Sequence, residues 1–321
     1  TIDVVNECIR AARTLAVDLL VAVGGGSAMD TAKATSIVVA NGGRVEDYEG
    51  VGKSSRPGIP IVAVNTTAGT GSECTVFYIV TDPARQTKMA MVDENCMVAV
   101  AVNDIDFMLS MPKKLTAATG MDALTHAVEA YLAKGANPFT DKDAYWAMET
   151  VYRYLPRAVD NGSDEEARTM MAYAENVAGM AFSNAGLGLV HAMAHALGGR
   201  YNLPHGVCNA VLLPYAMEFN GRFPEIQRRF LGIARAFHLD GAETMTDKEA
   251  LHAGIAAMRA VSERVGIPKT LRELGKVEPK DFPALSLLAM KDACMAQNLF
   301  LPTAKQVEEV YAHAYEGRVL S

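Results

Sequence analysis

The periodicity of apolar residues changes once along the chain, and that change fixes the class of fold. Before about residue 105, short apolar runs alternate with helical stretches. Residues 2–15 read as a helix, 18–23 as a strand buried on both faces, 27–40 as an Ala-rich helix and 61–64 as a second buried strand. Strand-like runs follow over 76–80, 88–92 and 97–102. Strands alternating with helices predict a mostly parallel sheet with helices on its faces. From Pro112 onward the period is helical, with helices expected over 115–133, 141–159, 165–184, 188–197, 207–220, 224–236, 247–265, 283–290 and 305–315. The expected architecture is α/β then all-α, with a parallel-sheet domain over 1–111 and a helical domain over 112–321.

Two hydroxyl- and glycine-rich turns punctuate the α/β part. Gly24-Gly25-Gly26-Ser27 ends the first strand, and Ser27-Ala-Met-Asp30 reads as an N-cap with an acid three residues on. The next strand ends at Asn65-Thr66-Thr67-Ala-Gly-Thr70-Gly-Ser-Glu73. Backbone N–H groups and a helix N-terminus at such a turn hold phosphate. The first turn is not the dinucleotide fingerprint, because Met29 stands at its sixth position, and no Gly-Lys-Ser/Thr follows as in a Walker loop. A tight structural turn is the alternative for either alone. Two at neighbouring strand ends converge on one crevice, where ligands bind in an open α/β sheet.

Four of the seven histidines fall in two short segments. Asp122 and His126 are spaced i, i+4, as are His191 and His195, so each pair shares a helix face. By spacing alone an ordinary Asp–His contact, or two satisfied core histidines, remains open. Ala192 occupies the place of a metalloprotease general base, which disfavours zinc peptidase chemistry. His205, between Pro204 and Gly206, is expected on the loop entering the next helix, where a third imidazole completes a site. His238, His252 and His313 lie among charged neighbours and receive no role.

With half the residues apolar and 21% charged, a disordered chain is excluded. The net charge of −7 and the lack of a basic run argue against nucleic acid or an acidic membrane as partner. No apolar run reaches 18 residues, and the opening residues lack a basic region before an apolar stretch, so neither span nor leader is expected. Five scattered cysteines, never spaced C-x-x-C, read as reduced thiols, and a cytoplasmic location is expected.

Gly24-Gly-Gly-Ser27, Asp30-Thr-Ala-Lys33, Asn65 to Glu73, Ala118-Thr-Gly-Met-Asp-Ala-Leu-Thr-His-Ala-Val-Glu-Ala130, Gly186 to His195 and Pro204-His-Gly206 together resemble the iron-containing (group III) alcohol dehydrogenases. The branch they most resemble is that of 1,3-propanediol dehydrogenase and lactaldehyde reductase. The resemblance implies a Rossmann-like domain followed by a dehydroquinate synthase-like helical domain. It implies hydride transfer between a short-chain alcohol or diol and NAD or NADP, with a small aldehyde as product. Asp122, His126, His191 and His205 would ligate Fe2+, a set that also suits Zn2+. His195 would be the nearby non-ligand histidine. Gly25, Gly26, Ser27, Thr66, Thr67, Thr70, Thr75 and Lys88 would line the cofactor groove.

Ala28 and Phe77 depart from the family pattern, where proline and a polar residue are common. Thr1-Ile-Asp resembles a point about 70 residues into the family pattern, a length worth three or four secondary elements. The expectation is a strand over 19–23 with an open face or edge, weakened dinucleotide binding and homo-oligomerisation. The alternatives are a glycerol dehydrogenase-like or dehydroquinate synthase-like enzyme on the same scaffold, or a metal-binding chain without activity.

Overall fold

The computed structural model describes residues 1–319. The α/β part runs α1 (Ile2–Thr14), β1 (Leu20–Gly24), α2 (Gly26–Asn41), β2 (Gly50–Val51), β3 (Ile61–Asn65), β4 (Phe77–Asp82), β5 (Thr87–Val92) and β6 (Val100–Val102). Helices follow: α3 (Lys113–Leu132), α4 (Pro138–Asp160), α5 (Glu165–Ala185), α6 (Leu189–Tyr201), α7 (His205–Asn220), α8 (Pro224–Ala236), α9 (Asp247–Arg264), α10 (Phe282–Ala289) and α11 (Ala304–Glu316). No single helix among the described residues is long and apolar enough to cross a membrane.

The strands form two sheets. In the first, β3 lies between β1 and β6 and pairs with both in parallel, Leu20 opposite Ile61 and Val62 opposite Val100. In the second, β5 pairs in parallel with the two-residue β2 but antiparallel with β4. The expected mostly parallel pairing is found: three of the four strand pairs are parallel, and β4–β5 is the antiparallel exception. Only four residues, 83–86, join β4 to β5, too few for the crossover that a parallel pair needs.

β1 is also not buried on both faces. It is an edge strand in which Ala22 is buried while Val21 and Val23 are 61% and 59% exposed. The helix after it begins at Gly26 with Gly25 as a cap that has no side-chain bond, so Ser27–Asp30 is not a capping pair. Asp30 is committed elsewhere: its carboxylate accepts from Ser72 Oγ at 2.7 Å and from the Ile79 N–H at 3.0 Å. Lys33, fully buried one turn later, donates to the Thr75 and Phe77 carbonyls at 2.7 and 2.8 Å. These bonds fasten α2 to the second glycine turn and to β4.

One continuous core runs through the helical part from Met108 to Ala314 and takes in Ala68 of the second glycine turn; it is built largely from alanine, leucine, valine and methionine. The α/β part has two separate, smaller clusters. Small residues let α3, α4 and α5 pack closely, and α5 reaches across to the α/β part. Glu175 on α5 accepts from Asn65 Nδ2 at 2.5 Å and from the Gly71 N–H at 2.6 Å. In return, Glu73 accepts from Asn176 Nδ2 at 2.8 Å.

Candidate metal and cofactor site

One cleft joins the two glycine turns to the histidine helices. Its walls include Gly26, Ser27, Thr70 and Thr75 at one end and Asp122, His126, His191, His195 and His205 at the other, with Lys88 between them. Gly25, Thr66 and Thr67 stand behind the wall and hold it. A Cβ at Gly25 would meet Thr67 Oγ1 at 2.7 Å, so the two turns touch only because that residue is glycine. The Thr66 N–H donates to the Gly24 carbonyl at 3.1 Å, locking adjacent strand ends together. The uncapped N-terminus of α2 opens at this end, the arrangement that attracts a phosphate.

At the other end, α3 carries Asp122 and His126, α6 carries His191 and His195, and α7 carries His205. His205 is the first residue of α7 rather than a loop residue, with Pro204 as its cap. A Cβ at Gly206 would meet the Ala118 carbonyl oxygen at 2.2 Å and Asp122 Cβ at 3.3 Å. Glycine there lets α7 press against α3 and carries His205 to Asp122. His205 Nε2 lies 3.7 Å and His191 Nε2 3.8 Å from Asp122 Oδ1. These three residues offer ligand atoms within 4.8 Å of one another. His126 stacks beside them, its ring centroid 4.6 Å from that of His191 and 4.4 Å from that of Phe182.

The chemistry of the donors fits a cation. Burial pushes the His126 imidazole down to about 3, against the pull of Asp122. Burial and the neighbouring His195 hold His191 well below the ordinary range, and burial with His195 and Lys88 does the same for His205. Neutral imidazoles are the ligand form. Burial raises the Asp122 carboxyl, opposed by His126 and Asn209, and a divalent charge nearby reverses that cost. Nδ1 of both His126 and His205 is buried without a partner.

Sequence comparison decides the family. The iron-containing alcohol dehydrogenase model matches residues 1–105, and the C-terminal model of the same family matches 116–315. The chain belongs to the iron-containing alcohol dehydrogenase family. It is 50% identical over 317 residues to alcohol dehydrogenase 4 of Schizosaccharomyces pombe, an alignment covering 98% of this chain and 72% of that protein. It is 42% identical to lactaldehyde reductase of Escherichia coli K12, over 98% of this chain and 81% of that one. Among solved structures, 1,3-propanediol oxidoreductase superposes with a TM-score of 0.92 at 41% identity, covering 97% of this chain and 80% of that chain. An alcohol dehydrogenase from Oenococcus oeni superposes with a TM-score of 0.93 at 40% identity, with the same coverage. This family member is accordingly an oxidoreductase that interconverts alcohol and aldehyde.

Several residues of the alcohol dehydrogenase site escape a reading of spacing alone. Glu129 accepts from His191 Nδ1 at 2.6 Å and from the Val190 N–H at 2.7 Å, so Nε2 of His191 is left unprotonated toward Asp122. Burial pushes the Glu129 carboxyl up to about 7, while the backbone N–H groups of Val190, His191 and Gly188 pull it down. Its signal was present: Glu129 is three residues after His126 and seven after Asp122, on their helix face. Asn209, one turn after His205, places Nδ2 2.6 Å from Asp122 Oδ1, 3.0 Å from His191 Nε2 and 3.1 Å from His205 Nε2. Asp292 and Cys294 reach the cleft from a segment about 100 residues after His195, with no local signal. His238 pairs with Glu149 at 2.6 Å on the exposed surface, and His313 faces the Arg318 carbonyl, both away from the cleft residues.

Proposed function

We propose that this enzyme reversibly oxidises a short-chain primary alcohol or diol with NAD as acceptor, using Fe2+ held by Asp122, His126, His191 and His205. One observation carries the reading. Asp122, His191 and His205 converge, with His126 stacked beside them, in the same cleft that the two glycine turns enter. Among named relatives, the Bacillus methanolicus protein at 44% identity is an NAD-dependent methanol dehydrogenase, which supports NAD. Zn2+ suits the same donors, and NADP the same groove. We take residues 1–111 as the cofactor-binding domain and 112–321 as the metal-binding domain.

When bound, the cation would lower the pKa of an alcohol hydroxyl and polarise a carbonyl, and nicotinamide would accept hydride from the carbinol carbon. The chain's residues do the rest. Three neutral imidazoles and one carboxylate leave a divalent ion net positive. Gly26, Ser27, Thr70 and Thr75 bind the dinucleotide across the α2 N-terminus, and Lys88 adds a positive charge between the two ends. Phe77, Phe182 and Leu187 line the cleft beside His126 and exclude water from the reacting carbon. His195 Nε2 receives the hydroxyl proton.

The test is NADH formation by the purified, Fe2+-loaded chain across straight alcohols of increasing length, with NADP and Zn2+ in parallel. Turnover that chelation abolishes and Fe2+ restores is the expected result. NADH formation that survives chelation would overturn the reading.

A further inference from the structure

His195 projects from α6 one turn after His191 and is nine-tenths buried, its ring centroid 5.2 Å from that of His205 and nearly parallel to it. Its Nδ1 lies 2.8 Å from Asp292 Oδ2. The other carboxylate oxygen, Oδ1, accepts from the Cys294 N–H at 2.8 Å and caps the short helical turn Ala293–Gln297. Asp292 is therefore gripped at both oxygens: one ends in the backbone of its own segment, the other in an imidazole 97 residues earlier.

An ionised carboxylate accepts hydrogen bonds and donates none. Facing Asp292, the His195 Nδ1 must carry the hydrogen, which leaves a lone pair on Nε2. A ring so held can take a proton from the cleft at Nε2 and spread the resulting charge toward a carboxylate already in place. Capping does not account for this arrangement. A cap needs one oxygen, and serine supplies it as well as aspartate does. The second oxygen, aimed at a buried imidazole beside the metal ligands, is left over once the turn is satisfied.

We propose that Asp292 is a positioning residue that fixes the tautomer and orientation of His195, so that Nε2 faces the cleft as a proton acceptor. The proposal rests on the reading of His195 as the group that receives the alcohol's proton. As the alcohol is oxidised, the C–H electron pair leaves as hydride to nicotinamide and the O–H proton passes to Nε2. The products are aldehyde, reduced nicotinamide and an imidazolium whose Nδ1–H remains on Asp292. Reduction runs the same transfers backwards.

Asp292→Asn is the informative variant. The amide oxygen is needed by the Cys294 N–H, so the amide N–H group turns to His195 Nδ1 and forces the opposite tautomer, with hydrogen on Nε2. The expected result in the full Fe2+-loaded chain is unchanged iron content and NADH affinity with kcat lowered about 100-fold, the scale of one acid–base group. Asp292→Ser, which keeps the cap, should melt like the parent protein yet lose turnover comparably. Nitrogen NMR of the zinc-loaded chain, labelled at histidine, reads the tautomer directly. The parent should show hydrogen on Nδ1 of His195, and Asp292→Asn should show it on Nε2. An Nε2 hydrogen in the parent, or kcat within about threefold of the parent in Asp292→Asn, would overturn the proposal. Unchanged kcat in His195→Ala would instead overturn the proton-acceptor reading, while the NMR result would still decide the role of Asp292.

Discussion

The two ends of the cleft are built to different standards. At the metal end, three helices of one continuous core meet; Glu129 holds His191 from behind, and Asn209 Nδ2 lies among the donor atoms of Asp122, His191 and His205. At the cofactor end, two main-chain turns are joined by single contacts, Gly25 against Thr67 and the Thr66 N–H on the Gly24 carbonyl. The difference teaches where rigidity is needed. An ion must meet several donors within a few tenths of an ångström, which demands donors locked by packing and outer hydrogen bonds. A dinucleotide spreads its binding over several backbone N–H groups and hydroxyls, so no single contact there has to be placed as tightly.

If the metal end is the rigid one, removing a ligand should be the most damaging change of all. His191→Ala is expected to abolish metal retention and turnover together, with a loss beyond the roughly 10–100-fold of an outer-partner change, read by metal analysis and kcat. His195→Ala, one turn along, should keep the metal. Next in size, Glu129→Gln offers one oxygen where three N–H groups now point. Iron affinity measured by competition with a chelator should fall about 10–100-fold, with NADH binding unchanged.

The cofactor end should give the reverse pattern. Gly25→Ala drives a Cβ into Thr67 Oγ1, an overpacking of about 1–3 kcal/mol that parts the two turns. NAD affinity by calorimetry should weaken by roughly tenfold or more while iron content holds. Loss of iron in this variant would show that the two ends are not independent.

The smallest effect concerns the strap between the ends. Burial, reinforced by the neighbouring Glu73, raises the Glu175 carboxyl well above its usual range. The folded state then binds a proton that the unfolded chain releases, so the stability contributed is present at acid pH and lost as pH rises through the folded value. The melting temperature should drift down with rising pH above the ordinary carboxylate range, and Glu175→Gln should flatten that drift. An equal drift in the variant would assign it to other groups.

Much of this contrast was legible in the sequence. The helical part matched its periodicity within a few residues because its helices bury either one apolar face or, as in α3, α6 and α7, almost every side, and the i, i+4 pairs on α3 and α6 pointed to a shared site. Glu129 was readable by the same helical spacing, three residues after His126. What could not be read depends on pairing between distant segments. The run at 18–23 looked like a strand buried on both faces, yet nothing local says that Val21 and Val23 face outward at a sheet edge. The partnership of β4 with β5 turns on a four-residue connection, and Asp292 reaches His195 across 97 residues with no periodic signal. Asp30 looked like half of a capping box because its spacing is right, and tertiary bonds to Ser72 and Ile79 took it instead.

The most direct test of the metal end is anomalous diffraction at the iron edge from crystals of the Fe2+-loaded chain. The account predicts one strong peak with Asp122, His126, His191 and His205 donors at about 2.0–2.3 Å from it. His195, Asp292 and Cys294 form the other cluster of potential ligands among the described residues. A peak on that cluster, or one lying beyond ligand distance of His126, would contradict the assignment.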